Sequence, residues 1–183
     1  MFKQLSIFIS ILPLVIIIYY ITKFVLDYFK KFNYKFSLNE FIYIFGLVFV
    51  TLSIQVIKRI PWSESYYKYT MRPEGACDCD YLSLKGIVKE NTPGFPSGHM
   101  GTVSYFAINN ILYYLDNNKN NNTINNHISK NNIYLYVILN ILFIFGTGWA
   151  RIYKKCHNLL QVICGTLYGL IIGVIFYFIK FDY

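Results

Sequence analysis

Long apolar blocks, nearly free of charge, constrain this chain more than any other feature. They run from about Leu5 to Tyr28, Glu40 to Val56, Ser97 to Leu115, Ile133 to Trp149 and Leu159 to Ile179. A helix of about 20 apolar residues matches the thickness of the hydrocarbon core of a bilayer. Of the 183 residues, 55% are hydrophobic and 14% charged, against about 25% charged in soluble domains. This balance excludes a disordered chain, a disulfide mini-scaffold and a soluble multidomain enzyme. The expectation is an all-α, polytopic membrane bundle of about five transmembrane helices. It forms one membrane domain over 1–183, with 1–39 an extra N-terminal span and link and 40–180 the core. The first block is longer than a signal-peptide core and lacks a small-residue cleavage site, so it reads as a retained span.

The formal net charge of +8 points to anionic headgroups or an anionic substrate rather than nucleic acid. Flanking of membrane helices by Lys and Arg explains part of it. Cys77 and Cys79 lie in one polar loop, Cys156 in another and Cys164 in an apolar stretch. Cys77-x-Cys79 is too tight for a zinc pair and has no matching second pair.

Residues 60–96 form the longest polar connection. Pro61, Pro73, Pro93 and Pro96 break regular structure there, and a short surface helix is expected around Tyr81 to Lys89. The Asn-rich tract from Asn117 to Asn132 reads as a solvated connection without chemistry. Five spans put the 60–96 loop and the basic segment Arg151 to His157 on the same side. A plain count of Lys and Arg makes that side cytoplasmic.

Three elements therefore meet at one face. Arg72-Pro73 follows Lys58, Arg59 and Lys68; Pro96-Ser97-Gly98-His99 opens the third span; Arg151 and His157 precede the fifth. Arginine forks suit phosphate oxygens. Ser97 and Gly98 stand where a helix begins, so free backbone N–H groups and the helix dipole favour an anion. His99 and His157 flank this cradle. Two histidines around a phosphate suit phosphoryl transfer. One imidazole attacks phosphorus, and the other protonates the leaving oxygen and then activates water. The arginines, a lysine and the backbone donors hold the developing charge. No metal and no other cofactor is required.

At these residues the chain resembles the type-2 phosphatidate phosphatase superfamily, related to bacterial acid phosphatases and vanadium haloperoxidases. The family pattern is Lys-x6-Arg-Pro, then Pro-Ser-Gly-His, then Ser-Arg-x5-His-x3-Asp. Pro96 to His99 matches the middle motif throughout, and Arg151 to His157 has the gap of the third. Gln161 to Gly165, with Gly169 beyond, resembles the glycine-bearing helix that follows. The resemblance implies a metal-independent lipid phosphate phosphatase with a phosphohistidine intermediate. It makes His157 the nucleophile and His99 the acid and base, with Arg72, Arg151, Ser97 and Gly98 on the phosphate. It implies membrane lipids as surroundings, a lipid phosphate or isoprenyl diphosphate as substrate, and a site facing the extracytoplasmic or luminal side, against the plain charge count.

The chain departs from the pattern at three places. The motif lysine position is Ser65, leaving Lys58 and Lys68 as candidates. Position 150 is alanine. Gln161 stands where the family has the Asp that orients the nucleophilic histidine. Gln accepts the ring N–H but cannot stabilise an imidazolium by charge. Asp78, Asp80, Glu64 and Glu74 are candidate compensating carboxylates. A disulfide from Cys156 to the Cys77/Cys79 loop is a further expectation. A phosphotransferase of the same fold and a catalytically impaired lipid-phosphate-binding protein remain open alternatives.

Overall fold

In the computed structural model, residues 4–9, 11, 15, 18, 19, 22, 38–79, 87–121 and 130–181 are described. Four long helices dominate: α1 (Leu38–Lys58), α2 (Gly98–Asn121), α3 (Lys130–Tyr153) and α4 (Leu159–Phe181). A 3₁₀ turn, Glu64–Tyr66, and a one-turn helix, Tyr67–Thr70, lie between α1 and α2. The described part is helical, with two isolated antiparallel bridges as its only β pairing.

Three helices are long and apolar enough to cross a membrane, over Phe41–Lys58, Asn132–Tyr153 and Leu159–Ile179. The expected third span is the helix α2. It falls outside that group because its start and end are polar. Most of the expected first span lies outside the described residues, although those described within it are helical.

α2 is the hub and packs against α4, α3 and α1. Its buried face is unusually polar and small, with Thr102, Val103, Ser104 and Ala107 fully covered. The apolar bulk points outward instead: Leu52 and Val56 on α1, Leu142 and Phe145 on α3, and Leu167 and Ile171 on α4 are exposed. This inverted pattern suits lipid, where apolar surface gains nothing by turning inward and close backbone approach stabilises helix pairs. Gly165, Gly169 and Gly173 let α4 press onto α2. A Cβ at Gly169 would strike the carbonyl oxygen of Gly101, and one at Gly165 would lie 2.5 Å from the carbonyl oxygen of Ser97. A small aromatic core, with Leu47, Val50, Ile54 and Tyr105, joins α1 to α2, and the Tyr105 hydroxyl donates to the Tyr43 carbonyl over 2.9 Å.

The 60–96 connection folds over one end of the bundle. Residues 70–78 and 87–95 run antiparallel. Arg72 N–H donates to Thr92 O (2.9 Å), Lys89 N–H to Ala76 O (2.7 Å), and Gly94 N–H to Thr70 O (2.8 Å). Gly75 turns the chain at φ +77°, a conformation that favours glycine. The Phe95–Pro96 peptide is cis. The expected helix around Tyr81 to Lys89 is corrected at its end: Val88 is extended and bridges Cys77, because the ladder claims its backbone. Residues 80–86 lie outside the described set.

Candidate functional site

The three motif segments converge at the end of the bundle covered by this loop. Helix α2 begins at Gly98, so Ser97 occupies its cap position; Ser97 Oγ is buried and has no hydrogen-bond partner among the described residues. Ser97 N–H donates to the Gln161 carbonyl over 3.0 Å, tying the start of α2 to α4. Asn158 caps α4: its Oδ1 accepts Gln161 N–H at 2.9 Å. His157 therefore stands one residue before a capped helix, and Gln161 lies one turn inside it.

Burial is deep for such polar groups. Arg151 and Gln161 are 0% exposed, His157 2% and Arg72 9%. Buried charges are rare unless paired or matched to a ligand. Arg151 donates to the Cys79 carbonyl over 2.5 Å. Lys154 Nζ donates to the Asp78 carbonyl over 3.1 Å, and a Cys79–Cys156 disulfide joins the loop to the segment before α4 with Cα atoms 5.4 Å apart. The loop is thus pinned to the basic segment at three points. Cys77 is a free thiol at the surface.

His157 Nδ1 lies 3.0 Å from Gln161 Oε1. Burial holds the His157 pKa well below the usual imidazole value, and the positive charges of Arg151, Arg72 and Lys58 push it the same way. The Gln161 hydrogen bond opposes this shift. The ring is neutral at neutral pH. His99 lies within the electrostatic reach of Arg151, His157, Lys58 and Arg72, so the two histidines and three cations gather at one end of the bundle.

Of the two candidate lysines, Lys58 stands beside the start of α2. Lys58 reaches back from the end of α1: a Cβ placed on Gly98 would be 3.8 Å from its Nζ. Lys68 is exposed and lines an open cavity of about 500 Å³ with Tyr67, Met71, Arg72, Asn91 and Asn158. Arg72 thus borders that cavity on one side and the histidines on the other. None of the candidate compensating carboxylates that are described has a hydrogen bond to His157 given by the structure. Asp78 Oδ1 accepts Ile87 N–H at 3.0 Å, Glu64 and Glu74 are exposed, and Asp80 lies outside the described residues.

Two features escaped sequence reasoning. Gly94 backs the site: a Cβ there would lie 2.8 Å from Gln161 Oε1 and 2.9 Å from Arg72 Cγ. Its place between Pro93 and Phe95 is a usable signal. The carbonyls that receive Arg151 and Gln161 left no sequence signal, since every residue has one.

Comparison with known proteins agrees with this arrangement. Dolichyldiphosphatase 1 of Dictyostelium discoideum is 25% identical over 115 residues, 55% of this chain and 46% of that protein. The match thus spans about half the length of that relative. No solved structure matches the chain. The PAP2 superfamily pattern matches residues 39–182, a stretch that contains all three motif segments and all four long helices. The chain belongs to the PAP2 superfamily.

Proposed function

We propose that the chain is an integral membrane phosphatase that releases phosphate from a lipid-linked phosphate, with an isoprenyl diphosphate as the favoured substrate. The observation that carries this reading is the convergence of two histidines with Arg72, Arg151 and Lys58 at one buried end of the bundle. The name of the Dictyostelium relative supports the diphosphate choice.

In this reading His157 Nε2 attacks phosphorus. The bond from phosphorus to the leaving oxygen breaks, and His99 supplies the proton to that oxygen. His99 then takes a proton from water, whose oxygen attacks the phosphohistidine and releases inorganic phosphate. Arg72, Arg151, Lys58, Ser97 Oγ and the N–H groups that open α2 hold the phosphoryl oxygens. Such charge stabilisation in a dry pocket is the largest catalytic effect expected here. The 500 Å³ cavity beside Arg72 offers the headgroup a way in, while the lipid tail stays beside the exposed apolar faces. The Cys79–Cys156 disulfide fits an oxidising compartment and hence an extracytoplasmic or luminal site.

The test is phosphate release by the purified full chain in detergent, offered an isoprenyl diphosphate, phosphatidate and lysophosphatidate. Release from the diphosphate is expected to be fastest. Binding of these lipids without release would assign the chain to non-catalytic lipid-phosphate binding instead. In the same assay Lys58→Met is expected to cost about 10²-fold in kcat/KM, as for loss of one charge-stabilising donor. Lys68→Met is expected to cost no more than about fivefold, the worth of an exposed charge. Equal losses would remove Lys58 from the phosphate site.

A further inference from the structure

Gln161 is the node at which the three motif segments meet. Its backbone carbonyl accepts Ser97 N–H at 3.0 Å. Its side-chain Oε1 lies 3.0 Å from His157 Nδ1. Its Nε2 donates to the carbonyls of Tyr69 at 2.9 Å and Met71 at 2.8 Å. Those two carbonyls lie at the end of the one-turn helix Tyr67–Thr70 and on the extended residue after it, leading into Arg72, and the carbonyl between them, on Thr70, accepts from Gly94 and Phe95. The stretch is therefore fixed on both edges and presents a pair of acceptors to position 161.

This pair decides which way the amide points. An amide nitrogen has two donors and no acceptor, and the oxygen has only lone pairs. Reversing the amide would set its oxygen against two carbonyl oxygens and leave the amide oxygen and the Met71 carbonyl without a donor, while the Tyr69 carbonyl would keep only Asn158 Nδ2 at 3.4 Å. The nitrogen must face Tyr69 and Met71, so the oxygen must face His157. Only a protonated Nδ1 can then satisfy the contact, and the neutral ring carries its lone pair on Nε2.

We propose that Gln161 is a built positioning residue: the Tyr69 and Met71 carbonyls lock its amide, the amide locks His157 as the Nδ1–H tautomer, and the same carbonyls reject a carboxylate at this position. The replacement of the family's acid is thereby a matched exchange, with the orienting charge given up and two hydrogen bonds to the Arg72 segment gained. Gly94, which leaves room for the Gln161 carboxamide, is part of the fit. This inference rests on the phosphatase reading for its kinetic consequence, and on geometry alone for the tautomer.

The groups that act on the His157 ring are Lys58 from α1, His99 from α2, Arg151 from α3, Arg72 from the loop and Gln161 from α4. No carboxylate is among them in the described residues. Gln161→Glu introduces one and should move the acid limb of kcat/KM to higher pH, because a neighbouring anion favours the imidazolium. The experiment compares wild type, Gln161→Asp, Gln161→Glu and Gln161→Leu as full chains in detergent, with an isoprenyl diphosphate. All three variants are expected to lose at least about tenfold in kcat, and Gln161→Leu about 10²- to 10⁴-fold, as when a tautomer is left unfixed. KM should change little, since Gln161 does not face the substrate. A gain by Gln161→Asp or Gln161→Glu over wild type overturns the proposal. A second measurement is independent of turnover and reads the wild-type ring directly. Nitrogen-15 imidazole shifts of the wild type, with His157 identified by its loss in His157→Ala, should report Nδ1–H. A ring protonated on Nε2 overturns the proposal. Nδ1–H in a protein that releases no phosphate would support the positioning and sink the phosphatase reading.

Discussion

Replacing His157 by alanine is expected, on the phosphohistidine mechanism proposed above, to lower phosphate release by about 10³-fold or more, because the proposed nucleophile is gone. No neighbour can substitute. Asn158 is committed as the cap of α4 and Gln161 to three hydrogen bonds. His99 stands on α2 and has the proton-transfer role in the proposed mechanism. His99→Ala should fail differently. A lipid monophosphate leaves a diphosphate readily, so the first step slows less than the second, which needs a base for water. Phosphate should then accumulate on the protein in His99→Ala and be absent from the double variant with His157→Ala. The pH dependence has a definite sign. Protonation of Nε2 blocks attack, and burial with Arg151, Arg72 and Lys58 lowers the His157 pKa. The acid limb that His157 contributes to kcat/KM therefore lies below the ordinary value of about 6.5, and activity persists to lower pH than an exposed histidine would allow. Equal phosphate incorporation by His157→Ala and wild type would remove His157 from the role of nucleophile.

The helices and the meeting of the three motif segments at one end of the bundle were legible because each leaves a pattern in one dimension. Apolar blocks of about membrane length announce α1, α3 and α4. Pro96 to His99 and Arg151 to His157 announce the pocket, since arginine, glycine and histidine at a helix start have few other uses together. The helix expected near Tyr81 to Lys89 does not extend through Val88, whose backbone pairs with Cys77, a partner that sequence does not display. The lysine was ambiguous for a similar reason. Lys58 is distant from Arg72 along the chain, and only the return of the 60–70 segment over the bundle end brings α1's last turn beside Gly98. Gln161 is the sharper lesson. Read as a letter, it is a lost carboxylate. Its compensation comes from main-chain carbonyls of Tyr69 and Met71, and main-chain groups carry no signature in the sequence.

The second large effect is expected at a glycine. Gly169→Val should destabilise the bundle by about 3 kcal/mol or more, because the added carbons meet atoms that cannot rotate away. A Cβ there would strike the carbonyl oxygen, carbonyl carbon and Cα of Gly101, all backbone. The neighbours of Gly165 are likewise largely backbone, on Ser97, while Gly173 meets mostly side-chain atoms of Ile108 and Asn109, so the whole α4 stripe bears on α2. In lipid, helices gain little by hiding apolar surface, and close packing of this kind supplies much of the association energy. Pushing α4 off α2 also separates Gln161 and His157 from Ser97 and His99, so activity should fall with stability. Gly146 is the matched control, also mid-helix but with nothing within 4 Å of its added Cβ. Gly146→Ala should be neutral or up to about 1 kcal/mol stabilising through helix propensity. Thermal melting of both proteins in detergent, followed by tyrosine and tryptophan fluorescence, separates the two effects. Equal melting would mean that the α2–α4 approach tolerates a side chain, and that the glycines of α4 answer to something other than the proximity of Gly101.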